Sequence, residues 1–267
     1  MSSAHEFDWR RASFEEVDRQ YSPSQFARKP LDEYLADYAH LSSKVDPVYL
    51  LDADRPLLVY IHGGYWQQLS AADSLFIAKD AQRHGVSLFA VEYTLAPHAT
   101  IDQMIKECVV AIVEISKRLS SSRVVVAGCS AGAHLAAMCA GDENLKKIVD
   151  AYVLLSGIYD LRPLVVTPTN EALRLDEAKA TALSPLFLKP DYGKAKVFCA
   201  AAEYDPPEFI RQNFEFAKHL QAHLVPKIND VEQVVVAKRD HFDLPYDLLD
   251  EKTIIGKWTL NELTRGK

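Results

Sequence analysis

Residues 123–132 constrain the fold more than any other stretch of this chain. Arg123-Val124-Val125-Val126-Ala127 is a β-branched run that leads directly into Gly128-Cys129-Ser130-Ala131-Gly132, and a helix-like segment (133–141) follows without a linker. A strand, a sharp turn and a helix in that order place one serine at the apex. Such a turn strains the serine backbone and crowds its neighbours, which predicts no room for a Cβ at Gly128 or Gly132. It also sets the Ser130 hydroxyl beside the unpaired N–H groups of a helix N-terminus. This is the pattern of a nucleophile elbow.

The rest of the chain reads as alternating strands and helices from about residue 47 onward. Strand candidates are 57–62, 86–93, 123–128, 151–157, 196–202 and 231–237, mostly continuous apolar runs of the kind covered by helices on both faces. Helix candidates are 71–84, 101–119, 133–141, 207–223 and 247–263. The second shows a capping-box pattern, Thr100 with Gln103, and an apolar stripe at Ile101, Met104, Ile105, Cys108, Ile112, Ile115 and Leu119. Repeated βα units predict a mostly parallel, doubly wound sheet in one domain over 1–267. Residues 1–45, with helical pieces at 14–19 and 31–40, read as an N-terminal extension packed on the body. The interruption at 161–193 reads as a short lid.

Composition narrows the function class. The net charge is −7 with dispersed Lys and Arg, which argues against a nucleic-acid or anionic-membrane surface. Cys108, Cys129, Cys139 and Cys199 lack metal-like spacing and predict free thiols in a reducing compartment. The first residues lack an apolar signal region and no run approaches a membrane span, so a cytosolic location is expected. Oligomeric state stays open, a homodimer included.

A serine hydroxyl is a poor nucleophile without a base, and the base needs an orienting acid. In folds built around such an elbow the serine precedes the acid, and the acid precedes the histidine. Asp205 follows the strand at 196–202, and His241 follows the strand at 231–237. Rival carboxylates are Asp160, Glu203, Asp240 and Asp243. Among the histidines, His62 and His134 precede the acid, while His219 and His223 fall within a helix. Asp205 and His241 fit best. His62-Gly63-Gly64-Tyr65-Trp66 directly follows the strand at 57–62. Consecutive glycines there can turn backbone N–H groups toward an oxyanion, so the expected donors are Gly64, Tyr65 and Ala131. A plain Gly-Gly turn is the alternative reading.

With these motifs the chain resembles the α/β-hydrolase fold, in the His-Gly-Gly branch that includes hormone-sensitive-lipase-like esterases. Glu92-Tyr93-Thr94-Leu95-Ala96-Pro97 is similar to that branch's Tyr-Arg-Leu-Ala-Pro signature, with Thr94 in place of arginine. A closer resemblance is to the kynurenine formamidases (arylformamidases). It rests on residues 62–66, Gly-Cys-Ser-Ala-Gly-Ala-His at 128–134, Ser-Gly-Ile-Tyr-Asp-Leu at 156–161 and Gln-Tyr-Ser-Pro-Ser at 20–24, and so spans the chain. The resemblance implies hydrolysis of an aromatic formamide, N-formylkynurenine, in tryptophan breakdown, with no cofactor or metal. Tyr65 and Trp66 stand where the esterases carry small residues. With His62 and Gly63 they are expected to border a small acyl pocket suited to a formyl group. Two alternatives remain, a short-chain carboxylesterase of other physiology and a ligand-binding hydrolase-fold protein without turnover.

Overall fold

Six strands form the centre: β1 (Leu57–Ile61), β2 (Ser87–Val91), β3 (Val124–Cys129), β4 (Ala151–Leu155), β5 (Lys196–Ala202) and β6 (Val231–Val236). A computed structural model of the protein describes residues 7–45, 51–224 and 231–265. Every strand pair is parallel, in the order β2-β1-β3-β4-β5-β6. The chain steps from β1 outward to β2, crosses back to β3, and then proceeds the other way. Right-handed crossovers in both directions put helices on both faces.

Ten helices accompany the strands within the described residues. They are α1 (Phe14–Gln20), α2 (Leu31–Ser42), α3 (Ala78–His84), α4 (Ile101–Leu119), α5 (Ala131–Cys139), α6 (Leu145–Ile148), α7 (Asn170–Leu173), α8 (Glu177–Ala182), α9 (Pro207–His223) and α10 (Ile254–Thr264). Side chains alternate across a strand, and that alternation divides the core in two. Leu57, Val59 and Ile61 join Val124, Val126, Leu154 and Val197 beneath α4, α5 and α9. Leu58 and Tyr60 join Val125, Ala127, Val153 and Phe198 beneath α3 and α10. Both faces are filled, which is why these strands read as unbroken apolar runs.

The expected helix boundaries need three corrections. At 71–84 a 3-10 turn (Ala72–Ile77) precedes α3, which ends on Gly85 in the left-handed conformation (φ +64). The elbow helix begins at Ala131, two residues early. The single helix expected over 247–263 is divided, with a 3-10 turn (Leu244–Leu249) followed by a fresh start at α10. Thr253 caps that start by accepting from the Gly256 N–H at 3.0 Å. Gly256 lies so near the Asp250 carbonyl that an added Cβ would come within 2.0 Å of it. In α4 only half of the capping box is present. Thr100 accepts from the Gln103 N–H at 3.3 Å, but the Gln103 side chain donates to Glu107 instead.

The N-terminal helices are bonded to the loop that follows β6. The Tyr34 hydroxyl donates to Asp240 Oδ2 at 2.5 Å, and the Arg28 N–H donates to the same oxygen at 2.8 Å. The Tyr38 hydroxyl donates to the Phe242 carbonyl. Residues 161–193 hold two 3-10 turns with α7 and α8 between them, and their Leu161, Leu164, Leu175, Ala180 and Leu183 are buried in the core.

Register brings the chemistry to one edge. Ile61 pairs with Gly128, Cys129 with Leu155, and Leu155 with Ala200. The loops after β1, β3, β4, β5 and β6 therefore leave the sheet together at its carboxyl end, where ligands bind in open α/β sheets.

Candidate active site

Ser130 caps α5 with φ +57 and ψ −123, a region that β-carbon-bearing residues adopt only when their surroundings force them. The forcing contacts are backbone to backbone. A Cβ on Gly128 would stand 2.3 Å from the Gly132 carbonyl oxygen, and one on Gly132 would stand 2.0 Å from the Ile61 oxygen. The Ser130 N–H is held by the Leu155 carbonyl at 2.8 Å. The expected lack of space at both glycines is thus met by the helix lying directly against β1 and β3.

His241 and Asp205 are in contact. The His241 Nδ1–H donates to Asp205 Oδ1 at 2.7 Å. The other carboxylate oxygen accepts from the Ser156 hydroxyl at 2.5 Å and from the Ala202 N–H at 2.7 Å. Three donors on one buried carboxylate hold it in a single orientation. Ser156 is a member of this set that sequence reasoning missed. Its signals were its place directly after β4 and at the head of the 156–161 motif, and in the structure it takes φ +45. The imidazole is held edge-on between Phe209 and Phe242, with centroids 5.1 and 5.2 Å away. Ser130 and His241 line the same cavity. Among the described residues the Ser130 hydroxyl makes no hydrogen bond, and in unliganded hydrolases the nucleophile–base contact commonly closes only around substrate.

The rival groups are occupied elsewhere. Asp240 accepts from Tyr34, Arg28, Phe242 and Asp243, and although burial opposes ionisation, these bonds hold its carboxyl below the usual range. Glu203 accepts from the Lys238 N–H, and Asp160 forms a two-pronged ion pair with Arg162. Asp243 accepts from the Asp240 N–H. His134 is fully buried, its Nε2–H donates to the Leu183 carbonyl at 2.8 Å, and burial lowers its pKa to about 4. His219 and His223 lie on α9, where each bonds to a backbone carbonyl. Cys129 borders the cavity, but burial pushes its thiol well up and keeps it protonated.

The glycine loop after β1 lies against the serine. A Cβ on Gly63 would be 2.9 Å from the Cys129 oxygen and 3.2 Å from the Ser130 Cβ. Gly64, Tyr65 and Trp66 follow with φ of +94, +53 and +60. The N–H groups of Gly64, Tyr65 and Ala131 make no hydrogen bond to any described residue, so all three are available to a ligand oxygen. His62 is held by its own loop. Its Nδ1–H donates to the Gly63 carbonyl at 2.9 Å, its ring stacks on Tyr93 at 4.3 Å, and burial lowers its pKa.

One expectation is overturned. Trp66 does not line the cavity, because its ring is fully buried in the core and meets the His134 ring edge-on at 5.1 Å. Tyr65 does line it, with its hydroxyl donating to the Tyr21 carbonyl. The cavity measures about 270 Å³. Much of its remaining wall was not foreseen. Tyr21, Ser22, Pro23 and Ser24 form one side, with Leu31, Leu35 and Tyr38 of α2 beside them. From the 161–193 segment only Thr169 reaches it. Among the described residues no group of three or more His, Cys, Asp or Glu is placed to hold a metal, and no helix is long and apolar enough to cross a membrane.

The arrangement resembles known proteins in sequence and in shape. Residues 58–241 match the α/β-hydrolase fold family. The chain is 32% identical to a kynurenine formamidase of Danio rerio over 97% of its own length and 99% of the relative's. It is 31% identical to one of Drosophila melanogaster over 71% and 67% respectively. Among solved structures, a candidate thioesterase from Silicibacter sp. tm1040 superimposes with a TM-score of 0.80 at 23% identity, covering 91% of this chain and 98% of that one. A thermophilic carboxylesterase cloned from a metagenomic library gives 0.67 at 18% identity over 94% and 95%. At those identities the structures speak for the fold alone. Sequence likeness over nearly the whole of both chains goes further, and by it this chain belongs to the kynurenine formamidase family of α/β hydrolases.

Proposed function

We propose that this chain hydrolyses the formamide of N-formylkynurenine to kynurenine and formate, as the names of its relatives suggest. The observation that carries the reading is one small cavity bordered by Ser130, by a His241 already bonded to Asp205, and by a loop with unused N–H groups. At about 270 Å³ it lies near the lower end of small-molecule pockets, which run from about 300 to 1,000 Å³. That size suits one substituted aromatic ring.

His241 Nε2 takes the Ser130 proton as the oxygen attacks the formyl carbon. The carbonyl π-electrons pass to its oxygen, which the N–H groups of Gly64, Tyr65 and Ala131 hold. The resulting imidazolium, stabilised by Asp205, gives its proton to the anilide nitrogen, and the C–N bond breaks. A water molecule, deprotonated by His241, then attacks the formyl-enzyme. Formate leaves and Ser130 recovers its proton. A reducing compartment suits the four buried free thiols.

The test compares kcat/KM for N-formylkynurenine and for p-nitrophenyl acetate on the purified protein, with formate measured directly. The formamide is expected to be preferred. A clear preference for the ester with no formate released would favour the carboxylesterase reading.

A further inference from the structure

Among the described residues, the cavity wall carries one carboxylate without a cationic partner and no Lys or Arg. Asp73, in the 3-10 turn 72–77, lines the cavity, and neither Lys nor Arg does. Its Oδ2 accepts from the Ser70 hydroxyl at 2.7 Å. Its Oδ1 accepts nothing, and Asp73 forms no ion pair with a described residue. His62 borders the same cavity and is only 1% exposed. Because the Gly63 carbonyl can only accept, Nδ1 carries the ring proton and Nε2 presents a lone pair. That Nε2 is buried with no partner. The Asp73 charge acts on the His62 ring, so the two groups are electrostatic neighbours.

Among the described residues neither of these two acceptors has a donor. His62 Nε2 is buried, and a buried polar atom left unmatched costs about 1–3 kcal/mol, whereas half-buried Asp73 meets solvent when the site is empty. The group that would match both is cationic and carries several N–H bonds. Ser22 and Ser24, also on the wall, carry no charge. We propose that Asp73, with His62 Nε2, forms a subsite for the alkylammonium group of an aryl formamide substrate. This rests on the formamidase reading and deepens it. N-formylkynurenine carries such an ammonium beside an α-carboxylate, whereas N-formylanthranilate carries a carboxylate alone and formanilide carries neither. The subsite selects the first, is indifferent to the third, and repels the second.

The test measures kcat/KM for the three formamides on the wild type, Asp73→Asn and Asp73→Ser. A hydrogen bond to a charged group contributes about 1.5–3 kcal/mol, and partial exposure of Asp73 puts it at the lower end. The preference for N-formylkynurenine over formanilide should therefore fall about tenfold in both variants, mainly through KM. The preference over N-formylanthranilate should fall further. A ratio to formanilide that stays within twofold of wild type, or an equal loss on all three substrates, overturns the subsite. Calorimetric binding of kynurenine against 4-(2-aminophenyl)-4-oxobutanoate, which keeps the carboxylate and lacks the ammonium, supplies an arm independent of turnover. If the wild type hydrolyses esters and no formamide, the formamidase reading fails. In that case a tenfold loss of selective kynurenine binding in the variants still supports the subsite, and unchanged selectivity refutes it.

Discussion

Replacing Asp205 by asparagine tests the triad at its least obvious member. The Asp205 oxygens have separate duties. Oδ2 faces two donors, Ser156 Oγ and the Ala202 N–H, and Oδ1 faces the His241 Nδ1–H. An asparagine has only one acceptor oxygen, and two donors hold it on the Oδ2 side. Its NH₂ must then face His241, which reverses the ring. Nδ1 becomes the acceptor and Nε2 carries the proton, so the nitrogen meant to take the Ser130 proton is already protonated.

Restoring the working tautomer sets N–H against N–H across a buried 2.7 Å contact. It leaves two donors unmatched at about 1–3 kcal/mol each and removes a charge-assisted bond to the imidazolium of about 1.5–3 kcal/mol. Together these come to roughly 3.5–9 kcal/mol, and the lower part of that range, about 4–6 kcal/mol, is about 10³–10⁴ in kcat at about 1.36 kcal/mol per tenfold. Stability should move in the opposite sense to activity. Asp205→Asn keeps the Ser156 and Ala202 bonds and should lose little, whereas Asp205→Ala strands both donors in the core. Alanine also frees the imidazole to choose its tautomer, so it should retain more activity than asparagine while melting lower. Single-turnover formate release and urea unfolding on the two variants measure this. An asparagine variant that keeps more than a tenth of wild-type kcat, or an alanine variant that is the more stable of the two, refutes the reasoning.

Other substitutions follow from the same geometry. Ser130→Ala and His241→Ala should each lower kcat on the order of 10³-fold or more, and the double variant should be scarcely worse, because nucleophile and base act as a unit; additive losses in kcat would separate them. Tyr34→Phe removes a bond that ties α2 to Asp240, next to His241. Activity should fall several-fold at unchanged ester-to-formamide preference, which paired kcat/KM values would check. Trp66→Ala, given full burial of the ring, should cost about 3–5 kcal/mol in urea unfolding and leave acyl-chain preference nearly unchanged; altered preference from acetate to butyrate would return the ring to the pocket. His134 binds a proton readily when unfolded but resists it when folded, with a pKa of about 4. Between its ordinary value near 6.5 and 4, therefore, the unfolded chain gains protons and stability falls with pH, by up to roughly 3 kcal/mol from this group. In His134→Gln the fall over that range should be shallower, measured as unfolding free energy against pH.

What could be read from the residues, and what could not, divides along locality. The elbow was legible because every constraint on Ser130 comes from its own strand, its own helix and the glycines between them. Asp205 and His241 were legible because a parallel sheet sends all its strands toward one edge, so position after a strand becomes position in space. Trp66 fails the same logic for a physical reason. Proximity in sequence to the oxyanion glycines suggested a shared wall, but three successive left-handed residues, Gly64, Tyr65 and Trp66, coil the backbone. Consecutive side chains then diverge, Tyr65 to the cavity and Trp66 into the core. The wall formed by Tyr21 to Ser24 and by α2 left no periodic signal. It depends on contacts such as Tyr34 with Asp240, more than two hundred residues away in the chain. Asp73 was invisible for the converse reason. One acid among the polar residues of a helical segment reads as a solvated face, and only a cavity with no Lys or Arg among its described lining residues makes its charge meaningful. The catalytic parts of this site are thus local features carried to one edge by the sheet. Much of the cavity wall, by contrast, lies in surfaces that exist only where residues 21–24 and α2 pack beside the sheet edge.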